Sequence, residues 1–417
     1  MLEYYFHKPT RLRQLRRGLL APYLDDMAAQ LRQQGYRKMV GGQILRYVWQ
    51  FGQFLSTRGI LDVSEINEEL GQKFLDEELA PIGGFHGVGN AISYFLGYLR
   101  QIGVITEVAQ PRMDDPCAVI VERYDAHLRD VHGLASETCE SYTRSAKRFL
   151  DFHIERHQGL TFAAIDGHEV LDYVTAWADH SSSQSWTRSL GTYTRAFLRF
   201  LRWENLIDRD LDRVVPTIPR WRLSTVPKHL PWEQVREIID VVNTDSPEGM
   251  RDKAILLLLS TLGLRSHDVR TLELGHIDWR ESVIRLPKTK SMRARILPMP
   301  QEVGEAIADY IVNARPHNDT PFVFMRHYAP ISEFKSSAAL GNIVKKYVKR
   351  LGLLRAGHQG PHMLRHSLAA KMVNSGSSLK DIADMLGHLR MDTTATYAKV
   401  DTVHLVDVAL PLPGGAI

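Results

Sequence analysis

Near the C-terminal end of the sequence stands Pro361-His362-Met363-Leu364-Arg365-His366, followed by Leu386-Gly387-His388 and then by Tyr397. Earlier in the chain lies Thr261-Leu262-Gly263-Leu264-Arg265. Together these segments supply arginines, histidines and a tyrosine, a set suited to attack of a phenolic hydroxyl on a phosphodiester. A phosphodiester repels nucleophiles by its negative charge, and its transition state spreads still more charge over the non-bridging oxygens. A guanidinium is permanently cationic and presents a planar fork that matches two phosphate oxygens. Arg265 and Arg365, arriving from separate elements, can grip one phosphate from two sides. Removing one preorganised donor of this kind costs on the order of 10²–10³ in rate.

The tyrosine itself needs help, because a phenol ionises near pH ~10. Imidazole can take the proton near neutrality. His362 and Arg365 are three residues apart, so on a helix they share a face. His388, just after Gly387, can donate a hydrogen bond to a phosphate oxygen. Lys290, in the basic turn Lys288-Thr289-Lys290-Ser291-Met292, can reach into a groove and protonate a leaving oxygen. Read singly, each has an ordinary explanation: Tyr397 as a packing residue, His388 as a helix C-cap, Lys290 as a solvated turn lysine. Read together, they point to DNA strand cutting and rejoining. His358 and His366 read as structural or DNA-facing side chains rather than metal ligands.

The elements that must position these groups are partly legible. Asp252 to Leu259 forms an apolar helix closed by Gly263, with Ser266 expected to cap a second short helix. Val283-Ile284-Arg285-Leu286 and Arg295-Ile296-Leu297-Pro298 are expected to be two short strands around the basic turn. Ser378 and Asp381 form a capping box opening a helix that Gly387 closes. Asp392 or Thr393 is expected to cap the short helix bearing Tyr397.

At 417 residues the chain is too long for one ordinary core. Polar, proline-bearing stretches at 107–116 and between Val214 and Pro231 read as connectors. The first two pieces look like copies of each other. Tyr47 through Phe54-Leu55 matches Tyr142 through Phe149-Leu150, and Phe95-Leu96-Gly97-Tyr98-Leu99-Arg100 echoes Phe197-Leu198-Arg199-Phe200-Leu201-Arg202.

Hydrophobic residues make up 44% of the chain and charged ones 24%, values of a soluble globular protein. No apolar run is long enough to span a bilayer and the N-terminus lacks signal-peptide features, so a cytoplasmic location is expected. The formal net charge is +4, from 52 basic and 48 acidic residues. Clusters such as Arg11, Arg13, Arg16 and Arg17, or Lys288, Lys290, Arg293 and Arg295, favour a polyanionic partner. Cys117 and Cys139 form neither a disulfide framework nor a CxxC pair. No HExxH, clustered carboxylates or GxxxxGK[ST] loop suggests a catalytic metal or nucleotide hydrolysis, so no cofactor is expected.

Residues 225–400 resemble the catalytic domain of the tyrosine recombinase (phage integrase) family. The likeness rests on Thr261 to Arg265, on Asp268 three positions later, on Lys290 eight residues before Pro298, and on His362, Arg365, His366, Leu386-Gly387-His388 and Tyr397. It implies a mainly α fold with a small β-sheet or hairpin in the C-terminal catalytic domain, preceded by helical DNA-binding domains. The implied division is 1–110, an additional helical domain of core-binding type; 111–215, a SAM-like core-binding domain; 216–230, a linker; and 231–417, the catalytic domain. The implied function is site-specific recombination by an integrase or transposase of a mobile element. The alternatives are a type IB topoisomerase-like relaxing enzyme and a non-catalytic DNA-binding accessory protein.

The resemblance also assigns roles. Tyr397 would form a 3′-phosphotyrosyl link, with Arg265, Arg365 and His388 on the scissile phosphate and His362 assisting as acid or base. Lys290 would protonate the leaving 5′ oxygen, with Lys288 its competitor. The partners implied are double-stranded DNA, three further copies of the chain in a homo-tetramer on two DNA sites, and partner recombinases where needed. C-terminal segments such as 400–410 would dock on neighbouring subunits.

Overall fold

A computed structural model describes residues 1–79, 88–105, 115–179, 184–217, 227–287, 294–353, 360–388 and 390–400. Lys288, Lys290, Arg293, His358 and the stretch 401–410 lie outside the described residues, as does most of the connector at 107–116. Among the described residues the chain is mainly helical, with one antiparallel sheet in the order β1 (Ile277–Asp278), β2 (Val283–Leu286), β3 (Arg295–Pro298). β2 and β3 occupy the two stretches expected from the sequence. They pair Val283 with Pro298 and Leu286 with Arg295. β1 is two residues long, too short for alternation to announce it. Among the described residues, no helix is long and apolar enough to cross a membrane.

The chain divides into two compact units. One comprises Met1–Leu61, Phe74–Phe95 and Arg222–Ile417; the other comprises Asp62–Lys73 and Leu96–Trp221.

The first unit is organised around the helix Pro247–Thr261. Ser246 starts it, its hydroxyl accepting from the Gly249 amide at 3.1 Å, with Pro247 in the first helical position. That cap carries the helix well beyond the 252–259 stretch marked by apolar residues. Leu256, Leu257, Leu258 and Leu259 are all wholly buried. A helix that is apolar on every side must lie inside a core, and each buried leucine contributes about 2 kcal/mol. The helices Trp232–Asp240, Gln301–Asn313, Ala338–Arg350 and Pro361–Asn374 surround it. Its buried acid, Asp252, is satisfied by Arg251 at 2.7 Å, the Tyr347 hydroxyl at 2.9 Å and Lys346 at 3.1 Å. A second apolar cluster, of Leu368, Ala369, Val373, Ile382, Leu386 and Tyr397, lies at the far end of the Pro361–Asn374 helix.

The second unit packs the helices Pro116–Asp130, Ser136–His157, Gly167–Asp179 and Gln184–Trp203 around Tyr124, Phe149, Tyr173, Phe197 and Phe200. Edge-to-face contacts set the ring geometry: Tyr124 to Phe197 at 5.1 Å and Phe149 to Tyr173 at 5.1 Å. Between Ser136–His157 and Gly167–Asp179 comes a 3₁₀ turn at Phe162–Ala164. The same order runs earlier in the chain: Ala21–Gln33, Lys38–Thr57, a 3₁₀ turn at Val63–Glu65, Glu68–Phe74 and Val88–Gln101. Cys117 and Cys139 are free and buried.

Two caps differ from expectation. Ser266 is the first residue of the helix Ser266–Arg270, and Arg265 occupies the N-cap in an extended conformation. The helix Met391–Ala395 is preceded by Arg390 at the N-cap, not by Asp392 or Thr393. Neither N-cap makes a side-chain capping hydrogen bond. In the first case the guanidinium is held instead by a distant carbonyl, a tertiary contact that outweighs local capping preference.

Candidate active site

Two helix C-termini build the site. Pro247–Thr261 and Leu379–Leu386 both end in a left-handed glycine, Gly263 at φ +59° and Gly387 at φ +64°. The second closes with the His388 amide donating to the Ala383 carbonyl at 2.9 Å. Space as well as φ demands glycine at both. A Cβ on Gly263 would fall 2.7 Å from Leu386 Cδ2, and one on Gly387 would fall 2.7 Å from Arg295 Cδ.

The carbonyls at these ends receive the arginines. Arg365 donates through Nη1 to Gly263 O and through Nη2 to Leu386 O. Arg265 donates through Nη2 to Gly387 O at 3.1 Å. The C-terminal carbonyls of a helix carry partial negative charge, so two like-charged guanidiniums can be held close together. Arg365 is 3% exposed. Burial, with Arg265 adding repulsion, lowers its pKa to about 9, which leaves it cationic at neutral pH. A third guanidinium joins them: Arg295 of β3 donates to the buried Asp268 at 2.8 Å and packs over Gly387. Asp268 thereby fastens the sheet to the site. Nη1 of Arg265 and Nη1 of Arg295 are buried and make no hydrogen bond among the described residues.

Tyr397 sits in the same pocket, 2% exposed, with its hydroxyl 2.7 Å from Nδ1 of His366. Its ring lies parallel to that of His388, with centroids 6.3 Å apart and planes 4° apart. His388 is oriented by Thr394, whose Oγ1 lies 2.9 Å from Nδ1. Burial pushes the Tyr397 phenol up to about 12, against the opposing pull of Arg365 and Arg265. Burial, followed by Arg365 and Arg265, lowers His388 to about 4. His388 is therefore a neutral donor at assay pH.

A stability prediction follows from its sign. Between pH 6.5, its ordinary value, and about 4, an unfolded chain takes up a proton that the folded site refuses. This group's contribution to stability is present above that window and is lost as pH falls through it. In acid-unfolding curves His388→Asn is expected to lose stability less steeply over that window, by up to one proton. An unchanged slope would show that His388 titrates normally.

Of the residues expected from sequence, the structure brings Arg265, Arg365, His388 and Tyr397 into one pocket. His362 is exposed on the Pro361–Asn374 helix, its ring 6.4 Å from that of His366. Lys290 is outside the described residues. Sequence reasoning set aside His366, which contacts the phenol, and it did not single out Arg295 or Thr394. The signal for His366 was present: positions 362, 365 and 366 share a helical face. Spacing alone could not say which histidine turns towards Tyr397. Replacing His366 with leucine is expected to slow strand cleavage by roughly 10²–10⁴-fold, the usual worth of a positioned proton acceptor. His366→Gln, which keeps an acceptor atom, should slow it less. Equal rates in both variants, measured on nicked DNA, would rule out a proton-handling role.

The model of the phage integrase family matches residues 228–404, and that of the phage integrase N-terminal SAM-like domain matches residues 121–205. "Putative integrase/recombinase y4rF" of Sinorhizobium fredii is 35% identical over 100% of this chain and 97% of its own length. Tyrosine recombinase XerC of a Roseiflexus species is 27% identical, covering 67% of this chain and 89% of its own. Among solved structures, XerH recombinase bound to its palindromic difH substrate shares the fold at 16% identity, with a TM-score of 0.54 over 76% of this chain and 93% of that one. A lambda integrase dimer bound to a core site does so at 15% identity, with a TM-score of 0.51 over 67% and 94%. With a relative matched along its entire length, a shared fold, and a tyrosine set among arginines, the chain belongs to the phage integrase family of tyrosine recombinases.

Proposed function

We propose that this site-specific DNA recombinase cuts and rejoins double-stranded DNA by attack of Tyr397 Oη on the scissile phosphorus. The bond from phosphorus to the 5′ oxygen breaks, the phosphate stays on the 3′ end as a phosphotyrosyl ester, and the 5′ hydroxyl leaves with a proton. Rejoining is the reverse attack by a 5′ hydroxyl. One phosphate ester replaces another at each step, so neither a metal nor a nucleotide is called for.

Arg265 and Arg365 hold the non-bridging oxygens, and His388 donates to one of them as a neutral imidazole. His366 takes the phenolic proton. His362, exposed on the same helix face, is a second acid/base or phosphate-contacting group. Lys290 delivers the proton to the 5′ oxygen. What carries this reading is the pair of buried guanidinium nitrogens, on Arg265 and Arg295, that no group among the described residues bonds. Buried polar atoms are nearly always paired, and cationic donors beside a tyrosine suit an anionic phosphate.

Residues 1–110 and 111–215 are two copies of one helical module, 216–230 a linker and 231–417 the catalytic domain. Their shared order of elements and the SAM-like match support this division. Exchange between two duplexes breaks four strands, one per tyrosine, which favours a homo-tetramer. No specific observation favours a relaxing enzyme or a non-catalytic accessory protein.

The role of Lys290 is tested with a substrate whose bridging 5′ oxygen is replaced by sulfur, a leaving group that needs no proton. Lys290→Ala is expected to cut ordinary DNA about 10²–10⁴-fold slower and the sulfur-containing DNA at the wild-type rate. A defect that persists with sulfur removes Lys290 from the proton transfer. Rescue confined to Lys288→Ala reassigns the role to Lys288.

A further inference from the structure

Away from the tyrosine pocket, the second unit holds a cluster of a different kind. His153 and His157 are four residues apart on the helix Ser136–His157, and Glu169 faces them from the helix Gly167–Asp179. One ligand atom from each lies within 4.8 Å of the others. His153 Nδ1 is 2.8 Å from Glu169 Oε1, and His157 Nε2 is 3.4 Å from Glu169 Oε2. His153 and Glu169 are 0% and 2% exposed, while His157 is exposed at the end of its helix. Glu169 Oε2 is buried and takes part in no hydrogen bond among the described residues.

We propose that His153, His157 and Glu169 bind a divalent transition-metal ion of the zinc type, which pins the helix Ser136–His157 to the helix Gly167–Asp179. A buried carboxylate needs a compensating cation, and the groups within ion-pairing reach of Glu169 among the described residues are the two histidines. Two histidines one helical turn apart with a carboxylate from another element are a zinc-type donor set, at about 2.0–2.2 Å per bond. Tetrahedral ligands at that radius stand roughly 3.3 Å apart, so the trio needs only small shifts to close on an ion. A fourth position, beside exposed His157, is left for water.

Binding also has a local consequence. Metal binding through Nδ1 requires the neutral His153 ring to carry its single N–H proton on Nε2 instead of Nδ1. The 3.3 Å bond from the Thr161 amide to Nε2 must therefore open, and Thr161 is exposed enough for water to replace it. The cluster is no requirement of the fold. The first copy places Arg58 three residues after Leu55, as His153 follows Leu150, and Arg58 pairs with Glu77. An arginine cannot ligate a metal.

The test uses full-length protein stripped with a chelator and titrated with Co²⁺. One equivalent is expected to produce the visible d–d bands of a four-coordinate N/O site, which Zn²⁺ abolishes. Zn²⁺ should also raise the melting temperature. His157→Ala, whose exposed position keeps the fold intact by circular dichroism, is expected to lose the bands and the thermal shift, and Glu169→Gln to lose them as well. His362→Ala, on the exposed side of the helix Pro361–Asn374, should retain both. Absence of bands in the wild type, or their persistence in His157→Ala, overturns the assignment and leaves the trio as a proton-sharing ion pair.

Discussion

Tyr397→Phe is expected to abolish strand cleavage, with a loss on the order of 10⁵–10⁶ or more, as when other enzymes lose their nucleophile. DNA binding should be untouched. The substitution keeps the ring in its apolar cluster with Leu368, Ile382 and Leu386, and removes one hydrogen bond to His366, worth about 1 kcal/mol of stability. The prediction is therefore asymmetric: chemistry lost, fold and affinity kept. Gel-shift and cleavage assays on the same duplex would separate the two. A variant that still cuts would move the nucleophile elsewhere, and one that no longer binds would make Tyr397 a structural residue.

Arg265→Ala is expected to slow cleavage by about 10²–10³-fold with a smaller effect on stability. Among the described residues Arg265 makes a single side-chain hydrogen bond, to Gly387 O, and its Nη1 makes none. Arg365 differs, because both of its Nη atoms tie helix ends together. Arg365→Ala should lose activity together with several kcal/mol of stability, since two buried carbonyls are left unpaired. Arg265→Lys keeps the charge but loses the fork, so it should fall between wild type and alanine. Single-turnover rates with thermal melts on the same preparations check this. Equal destabilisation by Arg265→Ala and Arg365→Ala would show that Arg265 serves the fold rather than the phosphate.

The legible parts of the site are those written in local chemistry. Gly263 and Gly387 announce helix ends, and the structure places both in the left-handed region. β2 and β3 were readable because apolar residues alternate across a basic turn. The capping pair Ser378 and Asp381 behaves as its spacing suggests, the serine hydroxyl accepting from the Asp381 amide at 3.1 Å. Other parts depend on tertiary contacts. That two helix C-termini converge, so that their carbonyls hold two arginines, appears in neither helix alone. Arg295 looked like one more member of a basic turn, and only the folded chain sets it against Asp268 and Gly387. The choice between His362 and His366 depends on the rotation of one helix against a segment thirty residues later, which periodicity cannot supply.

We propose that Tyr397 carries the DNA during strand exchange. Its most direct test is covalent trapping: purified protein, without metal or nucleotide, mixed with nicked duplexes tiled across the DNA flanking its own gene. The products are run on a denaturing gel, and the adduct is digested for mass spectrometry. The expected result is a protein–DNA band that is absent for Tyr397→Phe, with a 3′ phosphate on the peptide containing Tyr397 and a free 5′ hydroxyl on the released strand. An adduct on another residue, a linkage through the 5′ end, or binding with no adduct on any duplex would contradict it.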